Sequence, residues 1–229
     1  MNKYLLEVSK IKKNFNHKNG VVKVLENVSF KIKRGELVAL IGPSGSGKSS
    51  LLHILSLIDE PTDGKILFNG VDTKLFRESK KKDELRRKNI SLIFQNNNLL
   101  NDFTAVENVL IPLIIRGESY KNSYLKSRQM LKKVNLENRI SHYPNEMSGG
   151  EQQRVAIART LIAETSLILA DEPTGNLDFK TAKNIFSYFQ KLKKLNKAII
   201  FATHNRDLAN QADYKLSISD GNIKRVNVD

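Results

Sequence analysis

Short apolar segments alternate with longer amphipathic segments along much of this chain. The runs Val38–Ile41, Leu167–Ala170 and Ala198–Ala202 are continuously apolar, as strands buried on both faces of a parallel sheet are. Helical periodicity follows the first of these runs over residues 48–58, and another helix is predicted over residues 179–194. Strands that alternate with helices in this way predict an α/β fold with a mostly parallel core sheet.

Two regions depart from this alternation. Near the start, Leu5–Ile11 and Val28–Ile32 alternate between apolar and polar residues, which predicts an antiparallel β region. From about residue 96 to residue 164 the pattern becomes helical, which predicts a helical subdomain inserted into a single domain of residues 1–229. The remaining predicted elements are helices near 104–115, 121–134 and 149–163, strands near 65–69 and 90–94, and a terminal hairpin around 219–222.

The composition narrows the class of protein. The 229 residues include no cysteine, which excludes disulfides and thiolate metal sites, and the four histidines have no metal-ligand spacing. The longest apolar stretch, Val109–Ile115, contains Pro112 and is far too short to span a bilayer. The opening residues, MNKYLLEVSK, lack the apolar centre of a signal peptide, so we expect a cytosolic protein.

The chain is strongly basic, with 38 Lys and Arg against 24 Asp and Glu and a net charge of +14. Nucleic acid, anionic lipid and phosphate ligands all suit that sign. Residues 74–88 are the densest basic segment, which predicts a solvated helix or loop. Aromatic residues are sparse and do not alternate with the basic ones, so we expect solubilising charge and no direct nucleic-acid binding.

A phosphate-binding loop is predicted between the first apolar run and the helix that follows it. The sequence GPSGSGKS at residues 42–49 matches the pattern G-x-x-x-x-G-K-[ST]. Its glycines let successive N–H groups turn towards phosphates, Lys48 would reach the β- and γ-phosphates, and Ser49 offers a hydroxyl to Mg²⁺. The predicted nucleotide-binding residues here are Gly42, Pro43, Ser44, Gly45, Ser46, Gly47, Lys48, Ser49 and Ser50.

Candidate catalytic and metal-binding residues follow three other predicted strands. Asp171 could hold Mg²⁺ through its water shell, and Glu172 could polarise an attacking water. His204 could donate to a γ-phosphate, and Gln95 could reach the metal or the water. Taken alone, these residues also suit plainer roles as helix-capping acids, a turn histidine and a strand-end amide. The phosphate loop at the same expected sheet edge favours the catalytic interpretation of the two acids.

Two adjacent glycines open the helix predicted over residues 149–163. Ser148 and Glu151 have the spacing of a capping box, which explains the helix start but does not require Gly149 and Gly150. Glycines cost a helix stability, so two in the first turn need a reason. Bare backbone at a helix N-terminus lets an anion come close, and this helix end is therefore a candidate anion site.

Together these motifs resemble the nucleotide-binding subunits of ATP-binding-cassette (ABC) transporters over essentially the whole chain. Residues 42–49 resemble the Walker A motif, residues 167–172 the Walker B motif, and MSGGEQQR at 147–154 the ABC signature. The resemblance implies a RecA-like P-loop NTPase fold that binds ATP and Mg²⁺ and hydrolyses ATP. The other matching positions are Gln95 in the Q-loop, Asp178 at the end of the D-loop GNLD, His204 as the switch histidine, and Phe15 as the aromatic that stacks on adenine.

The resemblance implies an answer for the two glycines. In this family two subunits close head to tail around two ATP molecules, so Ser148, Gly149 and Gly150 would face the γ-phosphate of an ATP held by a second copy. A chain with one phosphate loop already encloses its own nucleotide, so a second molecule must supply the second anion. Phe15 has the alternative role of a buried core residue. Integral membrane subunits are the other implied partners, which would hold the chain peripherally at the cytoplasmic face of a bacterial inner membrane.

A narrower resemblance lies in residues 92–113, LIFQNNNLLNDFTAVENVLIPL, and residues 170–178, ADEPTGNLD. Both are most similar to ATPases of lipoprotein-releasing (Lol) ABC systems. Macrolide-efflux and cell-division ABC ATPases share much of the pattern, and a non-transport ABC ATPase acting on nucleic acid or ribosomes is a further alternative. Three positions depart from common family usage: Met147 replaces Leu, Glu151 replaces Gln, and Asn205 replaces an Asp, which could change the orientation of the neighbouring histidine.

Overall fold

A mixed β-sheet runs through the computed structural model, which describes residues 3–18, 20–76 and 79–228. The strand order in the described part of the chain is β5-β4-β1-β2-β10-β9-β3-β8-β7-β6. The strands are β1 (Leu6–His17), β2 (Gly20–Ile32), β3 (Leu37–Ile41), β4 (Asp63–Phe68), β5 (Val71–Asp72), β6 (Ile90–Ile93), β7 (Leu167–Asp171), β8 (Ala198–Ala202), β9 (Tyr214–Ser219) and β10 (Asn222–Asn227).

The predicted α/β class, with a mostly parallel core sheet, is confirmed. Strands β9, β3, β8, β7 and β6 are neighbours and all run parallel. The carboxyl ends of parallel strands meet at one sheet edge, so the segments that follow β3, β6, β7 and β8 lie side by side. These four segments carry the predicted phosphate loop, Gln95, the acidic pair and His204.

The predicted antiparallel region near the start is also confirmed, but its strands are longer than the sequence pattern indicates. Strand β1 continues past Ile11 to His17, and β2 begins at Gly20, well before Val28. The β1–β2 register shifts three times between Val8 and Asn14, and Lys10 has φ of 52°. These irregularities break the simple alternation of side chains and hide the outer half of each strand from a pattern search.

Seven helices surround the sheet in the described residues. They are α1 (Lys48–Leu55), α2 (Ser79–Asn89), α3 (Ala105–Ile115), α4 (Tyr120–Lys133), α5 (Gly149–Ile162), α6 (Phe179–Lys194) and α7 (Arg206–Ala209). The prediction for α1 ran to residue 58, whereas the helix ends at Leu55 because Leu57 adopts a left-handed φ of 61°. The basic segment predicted as a helix or loop forms most of α2, while its residues Arg77 and Glu78 lie outside the described residues.

Alternate residues of the central strands face two separate cores. On β8, Ile199 and Phe201 pack with α3, α4, α5 and α6, whereas Ile200 packs with α1, β1 and β2. The helices between residues 105 and 162 therefore share one hydrophobic core with a face of the sheet. This packing fixes the start of α5, with its two glycines, relative to the sheet edge.

Candidate nucleotide-binding site

The phosphate loop has a backbone that only glycine can adopt without strain. Gly42 has φ of 154° and Gly47 has φ of 95°. A Cβ on Gly42 would lie 2.4 Å from the carbonyl oxygen of Ile218, and one on Gly47 would lie 2.9 Å from Cγ1 of Val24. Between these glycines, the hydroxyl of Ser46 is buried and has no hydrogen-bond partner among the described residues. The loop is thus a tight cradle that contains an unpaired polar group.

The side chain of Lys48 folds back onto the start of the phosphate loop. Its Nζ donates hydrogen bonds to the carbonyl oxygens of Gly42, at 3.0 Å, and Pro43, at 2.9 Å, and the residue is buried. Three ammonium protons are available, so Nζ can exchange these carbonyls for phosphate oxygens without moving far. Ser49 and Ser50 follow in the first turn of α1 and are half-buried.

Asp171 and Glu172 lie at the end of β7, at the same edge of the sheet as the phosphate loop. Asp171 ends β7, pairs with Ala202 of β8 and is buried. Glu172 has a left-handed φ of 47°, and its N–H donates to the carbonyl oxygen of Ala202 at 3.1 Å. A non-glycine residue in this conformation is uncommon and concentrates at functional sites, where it aims a side chain.

Glu172 and His204 form a close pair between the ends of β7 and β8. His204 Nε2 lies 3.2 Å from Glu172 Oε1, yet this oxygen has no hydrogen bond within the described residues. Burial raises the pKa of the Glu172 carboxyl above its usual value, and the nearby charge of Asp171 raises it further. Three effects, each smaller than that of burial, lower this pKa: the His204 ring, a hydrogen bond from the His204 backbone N–H, and the charge of Lys48. A carboxylate with a raised pKa and a free oxygen is suited to accept a proton from water.

Gln95 lies two residues beyond β6 and is exposed at the same sheet edge. The segment after it is fixed by Arg159 of α5, whose guanidinium donates to the carbonyl oxygens of Asn97, at 3.0 Å, and Asn98, at 2.9 Å. Partial burial lowers the pKa of Arg159. The link between the Gln95 segment and α5 was not predicted, because an arginine on an amphipathic helix is usually solvated.

Phe15 is 44% exposed on β1, so the alternative role of a buried core residue is wrong. One face of its ring lies 4.8 Å from the Nζ atom of Lys13, measured to the ring centroid. Lys13 itself is buried, and sequence analysis did not identify it, because a lysine in a basic chain carries no signal of burial.

At the start of α5 the helix-capping groups are hydrogen-bonded, while the space beside the first glycine is open. Ser148 Oγ accepts from the Glu151 N–H at 3.3 Å, and the Ser148 N–H donates to Glu151 Oε2 at 2.8 Å, so the predicted capping box is present. A Cβ on Gly150 would lie 3.3 Å from the Asn176 carbonyl oxygen. A Cβ on Gly149 would have no atom within 4 Å. Nothing in the described chain therefore requires glycine at position 149.

The side chains of Asp178 and Asn205 each cap the N-terminus of a helix. The Asp178 carboxylate accepts from the Thr181 N–H at 3.0 Å at the start of α6, and hydrogen bonds from the Thr181 hydroxyl and backbone N–H hold the pKa of Asp178 below its usual value. The side chain of Asn205 accepts from the Leu208 N–H at 3.1 Å at the start of α7. An asparagine is as good an N-cap as the aspartate usual at this position, so α7 keeps its cap.

The fold and the phosphate loop at residues 42–49 define a P-loop nucleotide-binding protein. The open N-terminus of α5 at Ser148 is a second candidate phosphate site and narrows the choice among P-loop proteins. The chain belongs to the ABC transporter family, since the sequence profile of that family, described as "ABC transporter", matches residues 25–175. It is an ATP-binding and ATP-hydrolysing subunit of an ABC transporter.

Relatives match the chain over nearly all of its length. The lipoprotein-releasing system ATP-binding protein LolD of Rickettsia typhi is 43% identical over 222 residues, which cover 96% of this chain and 98% of that protein. LolD of Legionella pneumophila (strain Paris) is 42% identical over 224 residues, covering 97% and 98%. An uncharacterized ABC transporter ATP-binding protein of Thermotoga maritima is 43% identical over 205 residues, covering 90% and 87%.

A solved structure gives the same fold. The ATP-binding cassette MJ0796, described as the dimeric structure of a post-hydrolysis state bound to ADP and Pi, superposes with a TM-score of 0.93 at 34% identity. The superposition covers 98% of this chain and 99% of that chain. In the described parts of this chain, no helix combines the length and apolar character needed to cross a membrane.

Proposed function

We propose that this chain is the ATPase subunit of a lipoprotein-releasing transporter at the cytoplasmic face of a bacterial inner membrane. The observation that carries this proposal is the near full-length similarity to proteins named as lipoprotein-releasing system ATP-binding proteins. The residues 92–113 and 170–178, which suggest the same subgroup from sequence alone, support it.

In this proposal, ATP binds with its phosphates in the cradle of residues 42–49 and its adenine on Phe15. The unpaired Ser46 hydroxyl and the ammonium of Lys48, which donates to two loop carbonyls, fit a ligand rich in acceptor oxygens. The Ser49 hydroxyl, the Asp171 carboxylate and the Gln95 amide oxygen are the oxygen ligands that Mg²⁺ prefers. When bound, Mg²⁺ would neutralise charge on the phosphates.

Glu172 is proposed as the general base for hydrolysis. Its free Oε1 would accept a proton from the attacking water, while His204 Nε2 would donate a hydrogen bond to the γ-phosphate. The backbone N–H of Glu172 donates to the carbonyl oxygen of Ala202, which fixes the main chain from which the carboxylate extends. General base catalysis of this kind contributes about 10²–10⁴ in rate.

A second copy of the chain would complete the site. The open space at Gly149 supports this step, because an external phosphate can approach a bare N–H there and the positive end of the α5 dipole favours an anion. Charge-assisted hydrogen bonds contribute about 1.5–3 kcal/mol each, and moving an equilibrium from 1:99 to 99:1 takes about 5.5 kcal/mol. Two or three contacts at each of two sites are enough for ATP to close such a dimer.

A groove of about 850 Å³ between α2, β6, α3 and α5 is the proposed dock for a membrane subunit. Its apolar lining residues, called the groove floor below, would receive the apolar face of a short helix; they include Leu92, Phe94, Pro112 and Ile115. The charged lining residues are both basic and acidic, and they include Lys80, Asp83, Glu84, Arg86 and Arg87. Arg159, which holds the segment after Gln95, also lines this groove, so docking and the nucleotide site share one connection.

Copurification tests the partner. We expect the wild-type chain to retain integral membrane subunits from detergent-solubilised membranes. The Ile115→Lys variant should lose them, because it places a charge on the groove floor, yet it should keep the ATPase activity of the isolated chain. Ile58→Lys is the matched control, since Ile58 is similarly exposed but lies outside the groove. Equal retention by both variants would contradict the groove assignment.

Reconstitution tests the substrate. The copurified complex in liposomes should release a membrane-anchored lipoprotein when ATP is added, and the Glu172→Gln complex should not. Release of no lipoprotein, together with ATP-dependent movement of a different substrate, would replace lipoprotein release with another transport function.

A further inference from the structure

Lys13 is a buried lysine that the nucleotide site described above does not use. Its Nζ donates to Asp59 Oδ1 at 2.7 Å and to the carbonyl oxygen of Glu60 at 2.8 Å. The same ammonium lies 4.8 Å from the centroid of the Phe15 ring. The residue is 9% exposed, whereas Phe15 is 44% exposed. One face of the ring thus lies against a fixed cation and the ring retains a large open surface.

The arrangement is built from two distant segments of the chain. Ile11 and Lys13 are buried and Lys12 between them is exposed, so the alternation of β1 places Lys13 inward, next to the loop at residues 59–62. That loop is tied to β1 on either side of the lysine: the Thr62 N–H donates to the Lys12 carbonyl oxygen at 2.8 Å, and the Asn14 N–H donates to Thr62 Oγ1 at 2.9 Å. Together with the two hydrogen bonds of Lys13, four hydrogen bonds in all therefore join this loop to one short part of β1.

The loop at residues 59–62 also connects β1 to the phosphate loop. It follows α1, and α1 begins at Lys48, the last residue but one of the cradle. The contact between Lys13 and Asp59 therefore links the strand that carries Phe15 to the segment that follows α1, the helix that begins at the phosphate loop. Without the Lys13 ammonium, Thr62 would be left to tie the loop to β1, next to a β1–β2 pairing that is irregular near Lys13.

We propose that Lys13 is a positioning residue that holds the ring of Phe15 in the orientation needed to stack on adenine. This inference rests on the proposed role of Phe15 in nucleotide binding. A cation over an aromatic face is attractive, and the attraction grows when the ammonium is shielded from water, as it is here. A ring that is already oriented loses less entropy when the base stacks on it. Lys13 therefore acts on the base and not on the phosphates.

Binding of ATP and of inorganic tripolyphosphate, measured by calorimetry, tests the role of Lys13. Tripolyphosphate has the phosphates but no base. Lys13→Met keeps the length of the side chain and removes the cation; we expect it to weaken ATP binding about three- to tenfold and to leave tripolyphosphate binding unchanged. Lys13→Arg should retain ATP affinity within about twofold, because it restores a cation over the ring.

A double-mutant cycle with Phe15→Leu separates positioning from a general effect on the fold. If Lys13 acts through the ring, Lys13→Met should cause no further loss of ATP affinity in the Phe15→Leu background. Lys12→Met is the control, since Lys12 is the neighbouring residue and its ammonium lies 3.6 Å from the Asp63 carboxylate in an exposed ion pair. It should leave both affinities unchanged.

Three results would overturn the role of Lys13: unchanged ATP affinity in Lys13→Met, an equal loss of ATP and tripolyphosphate, or additive losses in the double mutant. The proposed function has a separate failure. If the wild-type chain bound ATP no more tightly than tripolyphosphate, the adenine would contribute nothing to binding. The proposed stacking of adenine on Phe15 would then be wrong, and the inference about Lys13 would be wrong as well.

Discussion

His204 Nε2 lies 3.2 Å from Glu172 Oε1, although the two residues come from separate segments of the chain. The contact arises because β7 and β8 are parallel neighbours, so their carboxyl ends deliver both side chains to one point. The imidazole is mostly exposed and the carboxylate is mostly buried. The buried carboxylate of Glu172 is therefore placed to act as a base, and the exposed imidazole of His204 beside it can donate a hydrogen bond to a ligand.

The variant Glu172→Gln should bind ATP with near wild-type affinity and hydrolyse it about 10²–10⁴-fold more slowly. Its melting temperature at pH 7 should not fall. Burial raises the pKa of this carboxyl, which means that the fold disfavours its charged form, and a neutral amide avoids that cost. Steady-state ATPase rates and thermal melting check both points. Glu118→Gln, at an exposed ion pair, is the control, and wild-type turnover in Glu172→Gln would remove Glu172 from its proposed role.

Substitutions of Gly149 should separate folding from function. Gly149→Ala has open space for its Cβ and replaces glycine within a helix, so it should stabilise the chain by about 0.5–1 kcal/mol. It should nevertheless reduce ATPase activity, and Gly149→Asp should abolish it while leaving ATP binding intact, because each side chain would fill the space where we propose that the second copy's phosphate binds. Urea unfolding, ATP binding and ATPase assays distinguish these effects. A Gly149→Asp variant with wild-type turnover would contradict the shared site.

Glu151 should make a pH-dependent contribution to stability. The Arg139 guanidinium, which lies 2.8 Å from its Oε1, and the capping box lower the pKa of Glu151 to about 2. Because the folded pKa is below the usual 4.5, the stabilisation is complete above pH 4.5 and is lost as pH falls towards 2. Glu151→Gln keeps the cap and loses the ion pair, so it should cost at most about 1 kcal/mol at pH 7 and less at pH 3. Urea unfolding at the two pH values checks this, and an equal cost at both would contradict the assignment.

Asn108 should be a large contributor to stability in the segment that leads from Gln95 to α3. The residue is fully buried, accepts from the Leu100 N–H, and donates to the carbonyl oxygens of Leu100 and Phe103. Asn108→Leu would remove the part-buried hydrogen bonds of the Leu100 N–H and the Phe103 carbonyl oxygen, at about 1–3 kcal/mol each, so we expect a loss of about 2–5 kcal/mol. Denaturant unfolding measures it, with the exposed Asn101→Ala as the control. A loss below about 1 kcal/mol would show that the backbone finds other partners.

The parts of this fold that could be predicted from sequence are those in which a local pattern has a single physical explanation. The bare apolar run Ala198–Ala202 can only be a buried strand at that length, and Asp178 caps α6 at its predicted start. The phosphate loop needs glycines, a lysine and a hydroxyl at fixed spacing, so a chance match is rare. These features depend little on distant residues.

The features that could not be predicted depend on tertiary contacts. The full length of β1 is hidden by bulges that follow from its pairing with two neighbours. Lys13 is buried only because the loop after α1 supplies Asp59, and the sequence separation between them gives no indication of that contact. The open space beside Gly149 likewise becomes visible only when the packing around α5 is known.

Light scattering of the Glu172→Gln variant examines whether ATP holds two copies together through the start of α5, as we propose. We expect a mass near that of one 26.0 kDa chain with ADP and near twice that mass with ATP and Mg²⁺. Adding Gly149→Asp to this variant should return the mass with ATP to that of one chain, while each chain still binds ATP. A single-chain mass with saturating ATP, or a dimer that persists with Gly149→Asp, would contradict the account.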